Sequence, residues 1–70
     1  MYIDTAQAAT EFANAWQRES SPSRAAWHIR FAADALAGII ASLRPRGHVT
    51  TDRQAAYDVL MGRLSPHDPA

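Results

Sequence analysis

The chain has 70 residues, seven of them basic and seven acidic, with three histidines and no cysteine. That length allows one domain at most, and the lack of cysteine excludes disulfides and Cys-based zinc sites. The balanced charge weighs against a protein that holds nucleic acid by its backbone, because such proteins usually carry a basic excess.

A chain this small buries only about 60 % of its unfolded surface, so its core supplies a few kcal/mol. Disulfides are excluded, and His28, His48 and His67 fit no metal-ligand spacing. Self-association is the remaining device, and a homodimer is expected. All seven basic residues are Arg. Codon bias accounts for this most simply, although the planar guanidinium also suits carboxylate and phosphate contacts. Asp4 and Glu11 interrupt the N-terminal stretch where an export signal would need an apolar run. The apolar segment 31–43 contains Asp34 and is shorter than the ~20 residues that span a bilayer. A cytoplasmic chain with no membrane association is the expectation.

The first helix is predicted over about residues 4–19, with Asp4 as N-cap and Gln7 placed to close a capping box. Ala6, Ala9, Phe12, Ala13 and Trp16 form its apolar face. Ser20-Ser21-Pro22-Ser23 breaks it and opens the second helix, where Ser21 caps and Pro22 takes the first helical position. That helix runs to about residue 44, since Pro45 disfavours a helical Arg44. Arg44-Pro45-Arg46-Gly47 reads as a turn. The third helix is predicted over about 51–64, opened by Thr51 with Gln54 as a second capping box and ended by Pro66. A single helical domain over 1–65 and a disordered tail at 66–70 complete the expected layout.

The fold class is therefore all-α: a small three-helix bundle in which a helical hairpin receives a third helix and residues 21–44 form the central helix. In an antiparallel hairpin the short linker places Trp16 by Trp27 and Phe12 by Phe31, which predicts an aromatic cluster as the main stabilising contact. Ile29, Ala32, Leu36, Ile39 and Leu43 recur at three- and four-residue spacing, a seam that the third helix can cover with Leu60 near Leu36 and Tyr57 near Ile39. Beside it lie Ala26, Ala33, Ala37, Ile40 and Ala41, small enough for close approach by a second subunit. They are the candidate dimer interface.

No arrangement of residues points to catalysis. Ser20, Ser21 and Ser23 have no companion His and Asp at recognisable spacing, and no Gly-rich loop is present. No cofactor and no metal is expected. Arg44, Arg46 and His48 gather on one turn and are the leading candidates for contact with an anionic partner. Arg24 and His28, four residues apart, read as a solvated face, with Arg24 as a secondary candidate contact. Asp34 and Arg30 share a face of the central helix, and pairing with each other is the simplest reading of both. The sharper reading of Asp34 is a recognition or inter-subunit contact, to an Arg of the partner chain, and Arg30 is a further candidate partner-binding residue.

Together these features indicate a small non-catalytic interaction protein that binds and blocks or modulates a larger protein with an acidic surface. Small, motif-poor helical proteins of this type include phage- or mobile-element-encoded inhibitors of host machinery, anti-CRISPR proteins among them; that is an analogy of type, carried by no motif. A helix-turn-helix regulator presenting Thr51, Arg53, Gln54 and Tyr57 to DNA is the second reading. Asp52 and Asp58 on the reading helix oppose it. An oligomeric binder of a small anionic ligand is the third.

Overall fold

The computed structural model describes residues 3–18 and 21–64. It is compact and all-helical, measuring 41 × 22 × 17 Å. Three α-helices follow in order: α1 (Ala6–Gln17), α2 (Pro22–Leu43) and α3 (Thr51–Gly62), with a short 3₁₀ turn at Arg44–Arg46. Among these residues there is no strand, and no helix is long and apolar enough to cross a membrane. The tail from Ser65 and the predicted end of the first helix at Glu19 lie outside the described residues.

The helix boundaries follow local chemistry. Thr5, not Asp4, caps α1: its backbone is extended and its side chain accepts from the Ala8 N–H at 3.1 Å. Two cap-forming residues adjoin here, and the extended conformation falls on the second. Ser21 caps α2 as expected, accepting from the Arg24 N–H at 3.3 Å, with Pro22 at the first helical position. Thr50, not Thr51, precedes α3 and makes no side-chain capping bond. The expected capping box fails because the Gln54 amide is used elsewhere: its Oε1 accepts from Arg44 Nη2 at 2.9 Å and its Nε2 donates to Asp58 Oδ1 at 3.2 Å.

The end of α2 differs from expectation at one residue. Arg44 stays helical at φ −57°, ψ −48° despite the proline after it, and its N–H still reaches the Ile40 carbonyl. The chain then tightens into the 3₁₀ turn. Gly47 enters the left-handed region at φ 78°. Its N–H donates to the Arg44 carbonyl at 3.0 Å, and the His48 N–H donates to the Leu43 carbonyl at 3.2 Å. These are the two bonds of a Schellman motif, so the Leu43 and Arg44 carbonyls left at the helix end are satisfied by the turn itself. A Cβ on Gly47 would meet nothing within 4 Å, so the penalty for substitution is conformational. Gly47→Ala is expected to lose roughly 1–2 kcal/mol, read as a fall in Tm of roughly 5–15 °C for a domain this size. Gly47→Asn should lose less, since Asn tolerates this backbone region.

The core is built largely from alanine. Ala9, Ala13, Ala33 and Ala56 are wholly buried, together with Ile29, Leu36 and Leu60. Alanine at a helix crossing lets the axes approach closely, so three helices meet on small side chains with a few large ones filling between. Both α1 and α2 pack most extensively against α3, and α1 against α2 least. The predicted hairpin of helices one and two is thus the loosest pairing in the bundle. At the far end of α3, Arg63 Nη1 donates to Asn14 Oδ1 at 2.8 Å and Gln17 Oε1 at 2.7 Å, tying it to the C-terminal end of α1.

The rotation of α2 rearranges the predicted aromatic cluster: the rings of both helices still form one series, Phe12, Trp16, His28, Trp27 and Phe31, but the two tryptophans meet through His28 and not face to face. Trp16 stacks on His28, with ring centroids 3.6 Å apart and planes within 12°, and not on Trp27. One residue along a helix is 100° of rotation, so a one-residue offset carries Trp27 to the outside, where it stacks on Phe31 with centroids 5.4 Å apart. Trp27 is 54 % exposed, Phe31 63 % and Ile39 45 %. The buried set is Ala25, Ala26, Ile29, Ala33, Leu36 and Ile40. The seam expected to contain Ala32 and Ile39 shares only Ile29 and Leu36 with it.

Candidate functional site

Among the described residues, the turn after α2 and the outer face of α2 are two surfaces open to another molecule. At the turn, the Schellman bonds hold the backbone, and Arg46 and His48 project as exposed side chains. Neither makes a hydrogen bond or ion pair with another described residue. Arg44 is different. Its guanidinium is spent on Gln54, where it ties the end of α2 to the first turn of α3. Of three candidate contact residues in the turn, the structure leaves two unengaged and gives the third a bracing role.

The remaining candidates separate. Arg24 is exposed at the start of α2 and lends its N–H to the Ser21 cap. His28, expected on a solvated face with it, is half-buried under Trp16. Arg30 and Asp34 border one small cleft with Trp27 and Phe31, but they do not form the expected ion pair. The Arg30 Nε is buried with no hydrogen-bond partner among the described residues, and Asp34 is exposed.

The alanine-rich face expected at a dimer interface is mostly consumed within the chain. Ala26, Ala33 and Ile40 are buried in the protomer. Ala37 and Ala41 remain exposed, and with Ile40 they share a shallow cleft with Tyr57 and Gln54 of α3. The third helix therefore approaches α2 on the side that the pattern had reserved for a second subunit. The same contact bears on the DNA-reading arrangement. Gln54 and Tyr57, two of its four reading residues, lie against α2, while Thr51 and Asp52 are exposed and Arg53 is half-buried.

Where α1 and α2 diverge, a groove of about 400 Å³ opens. Ile3, Phe12 and Trp16 form one wall, while Phe31, Ala32, Ala35, Leu36 and Ile39 of α2 form the other. His28 and Arg53 also border it. This surface was missed because its aromatics were assigned to the core. The signal that could have located it is the row Trp27, Phe31, Ala35, Ile39 at four-residue spacing, a surface stripe as readily as a buried one. The groove holds no set of groups suited to bond-making chemistry: its lining is apolar apart from an imidazole stacked on indole and one arginine.

No protein-family model matches the chain, and neither a curated protein nor a solved structure is significantly similar to it.

Proposed function

We propose that this chain is a non-catalytic interaction protein that binds a larger protein through an acidic surface of that partner and blocks or modulates it. The observation that carries the reading is the turn Arg44–His48. A backbone locked by two hydrogen bonds and a left-handed glycine holds Arg46 and His48 at the surface, with no side-chain partner among the described residues. A fixed backbone lowers the ordering penalty of binding, and guanidinium with imidazole suits carboxylate acceptors. Arg44, engaged with Gln54, sets the angle at which the turn leaves α2. Self-association of the protomer belongs to the same reading, because so small a chain gains stability from covering apolar surface.

The test replaces the two unengaged side chains. Arg46→Glu combined with His48→Glu should leave the far-UV circular dichroism spectrum and Tm nearly unchanged, since both residues are exposed. Co-purification of the partner from the cell that encodes the chain should fall by at least about tenfold. Capture that survives this double change would remove the turn from the contact.

A further inference from the structure

Trp27, Phe31, Ala35 and Ile39 are all exposed and lie four residues apart along α2. Residues so spaced form one of the ridges by which helices pack against one another. We propose that this ridge is covered by the same ridge of a second copy of the chain, antiparallel and related by a two-fold axis that crosses the ridge contact midway between Phe31 and Ala35. The proposal deepens the self-association named above and does not depend on the cationic turn.

Three observations select a second copy over other occupants. The first is size. A two-fold interface must be complementary to itself. An antiparallel pairing centred on position 33 sets Trp27 opposite Ile39 of the second copy and Phe31 opposite Ala35 of the second copy. Large faces small, an aromatic ring faces a β-branched chain, and the relation repeats on reversal.

The second is charge. Arg30 and Asp34 lie along one flank of the ridge, and the two-fold axis brings that flank of each copy to the same side. Arg30 of one copy then reaches Asp34 of the other, twice. Within the protomer these two residues border one cleft without pairing, and the buried Arg30 Nε has no hydrogen-bond partner among the described residues. The terminal guanidinium nitrogens of Arg30 and the exposed Asp34 carboxylate are the groups the second copy engages.

The third is area. Trp27, Phe31 and Ile39 at 54 %, 63 % and 45 % exposure present roughly 300–400 Å² of largely apolar surface per copy. The least a biological interface buries is about 500 Å² per partner, so residues flanking the ridge have to supply the remainder. Because α2 extends over 22 residues against 12 in each of the other helices, its outer face is long enough to carry such a contact. The pairing leaves the turn at the end of α2 uncovered and presents two of them, one at each end of the dimer.

The test is sedimentation equilibrium of the full chain between about 1 and 100 µM, concentrations that populate a dimer of micromolar affinity. Wild type should show the dimer mass, and Phe31→Asp should shift it to the monomer with the helical circular dichroism spectrum retained. Arg30→Asp and Asp34→Arg should each weaken self-association by about tenfold or more, because two repulsive contacts replace two attractive ones. Mixing these two variants should restore association as a heterodimer, since one chain then carries two acids and the other two arginines at the facing positions. A wild-type monomer throughout would overturn self-association itself. A wild-type dimer that persists in Phe31→Asp, or charge variants that show no preference for each other, would overturn this interface alone. Arg46→Glu with His48→Glu should dimerise as wild type does, so a failed turn and a failed ridge give different results.

Discussion

Leu60→Ala is expected to lose about 2–5 kcal/mol of stability and to leave the chain largely unfolded at 37 °C. Leu60 is wholly excluded from solvent in the last turn of α3, where it is one of the few large side chains in the buried cluster. Its neighbours in that cluster are chiefly alanines, whose side chains have no rotamers with which to adjust. A domain of this length has of the order of 5 kcal/mol in total, so the change removes much of it. Urea denaturation followed by circular dichroism measures the effect. The midpoint should fall sharply with the slope nearly unchanged, as for a loss of stability without a change in the surface exposed on unfolding. A midpoint within error of wild type would show that α3 is not held by this side chain.

Ala33→Leu should destabilise by a comparable amount for the opposite reason. Ala33 is wholly buried in the same cluster as Ala9, Ala13 and Ala56. Three added carbons have no space where helices approach on alanine, and overpacking of this kind costs about 1–3 kcal/mol or more. Leucine and alanine are both strong helix formers, so the loss reports packing and not propensity. Ala37→Leu is the control: one turn further along α2 and exposed, it should change stability by less than about 0.5 kcal/mol. Equal losses at positions 33 and 37 would contradict the rotation of α2 described above.

The contrast between those two alanines also shows what could be read in advance. The candidate turn was legible because proline and glycine act locally: Pro45 removes a donor, and Gly47 supplies the left-handed residue on which the helix end closes. Its division of labour was not. Arg44 and Gln54 are ten positions apart, and only the antiparallel return of α3 brings them together, which also withdraws Gln54 from its capping role. The outer ridge was present as a four-residue repeat, but a tryptophan and a phenylalanine in an apolar helix are assigned to a core by default, since aromatic burial is so favourable.

From its own residues the chain determined three helices and their ends: Ser21 and Pro22 open α2, Thr5 supplies the cap of α1, and the Arg44–Gly47 turn closes the central helix. Those are interactions within one turn of backbone, and they need no partner. Which side of α2 faces inward was decided only by tertiary structure. Two overlapping stripes at three- and four-residue spacing share Ile29 and Leu36, and they differ in whether Ala33 and Ile40 or Ala32 and Ile39 complete them. Both are apolar, so hydrophobicity along the helix cannot choose. Volume across the interface can: α1 and α3 bring Ala9, Ala13 and Ala56 to the crossing, Ala33 fits against them, and Trp27, Phe31 and Ile39 are turned to the surface.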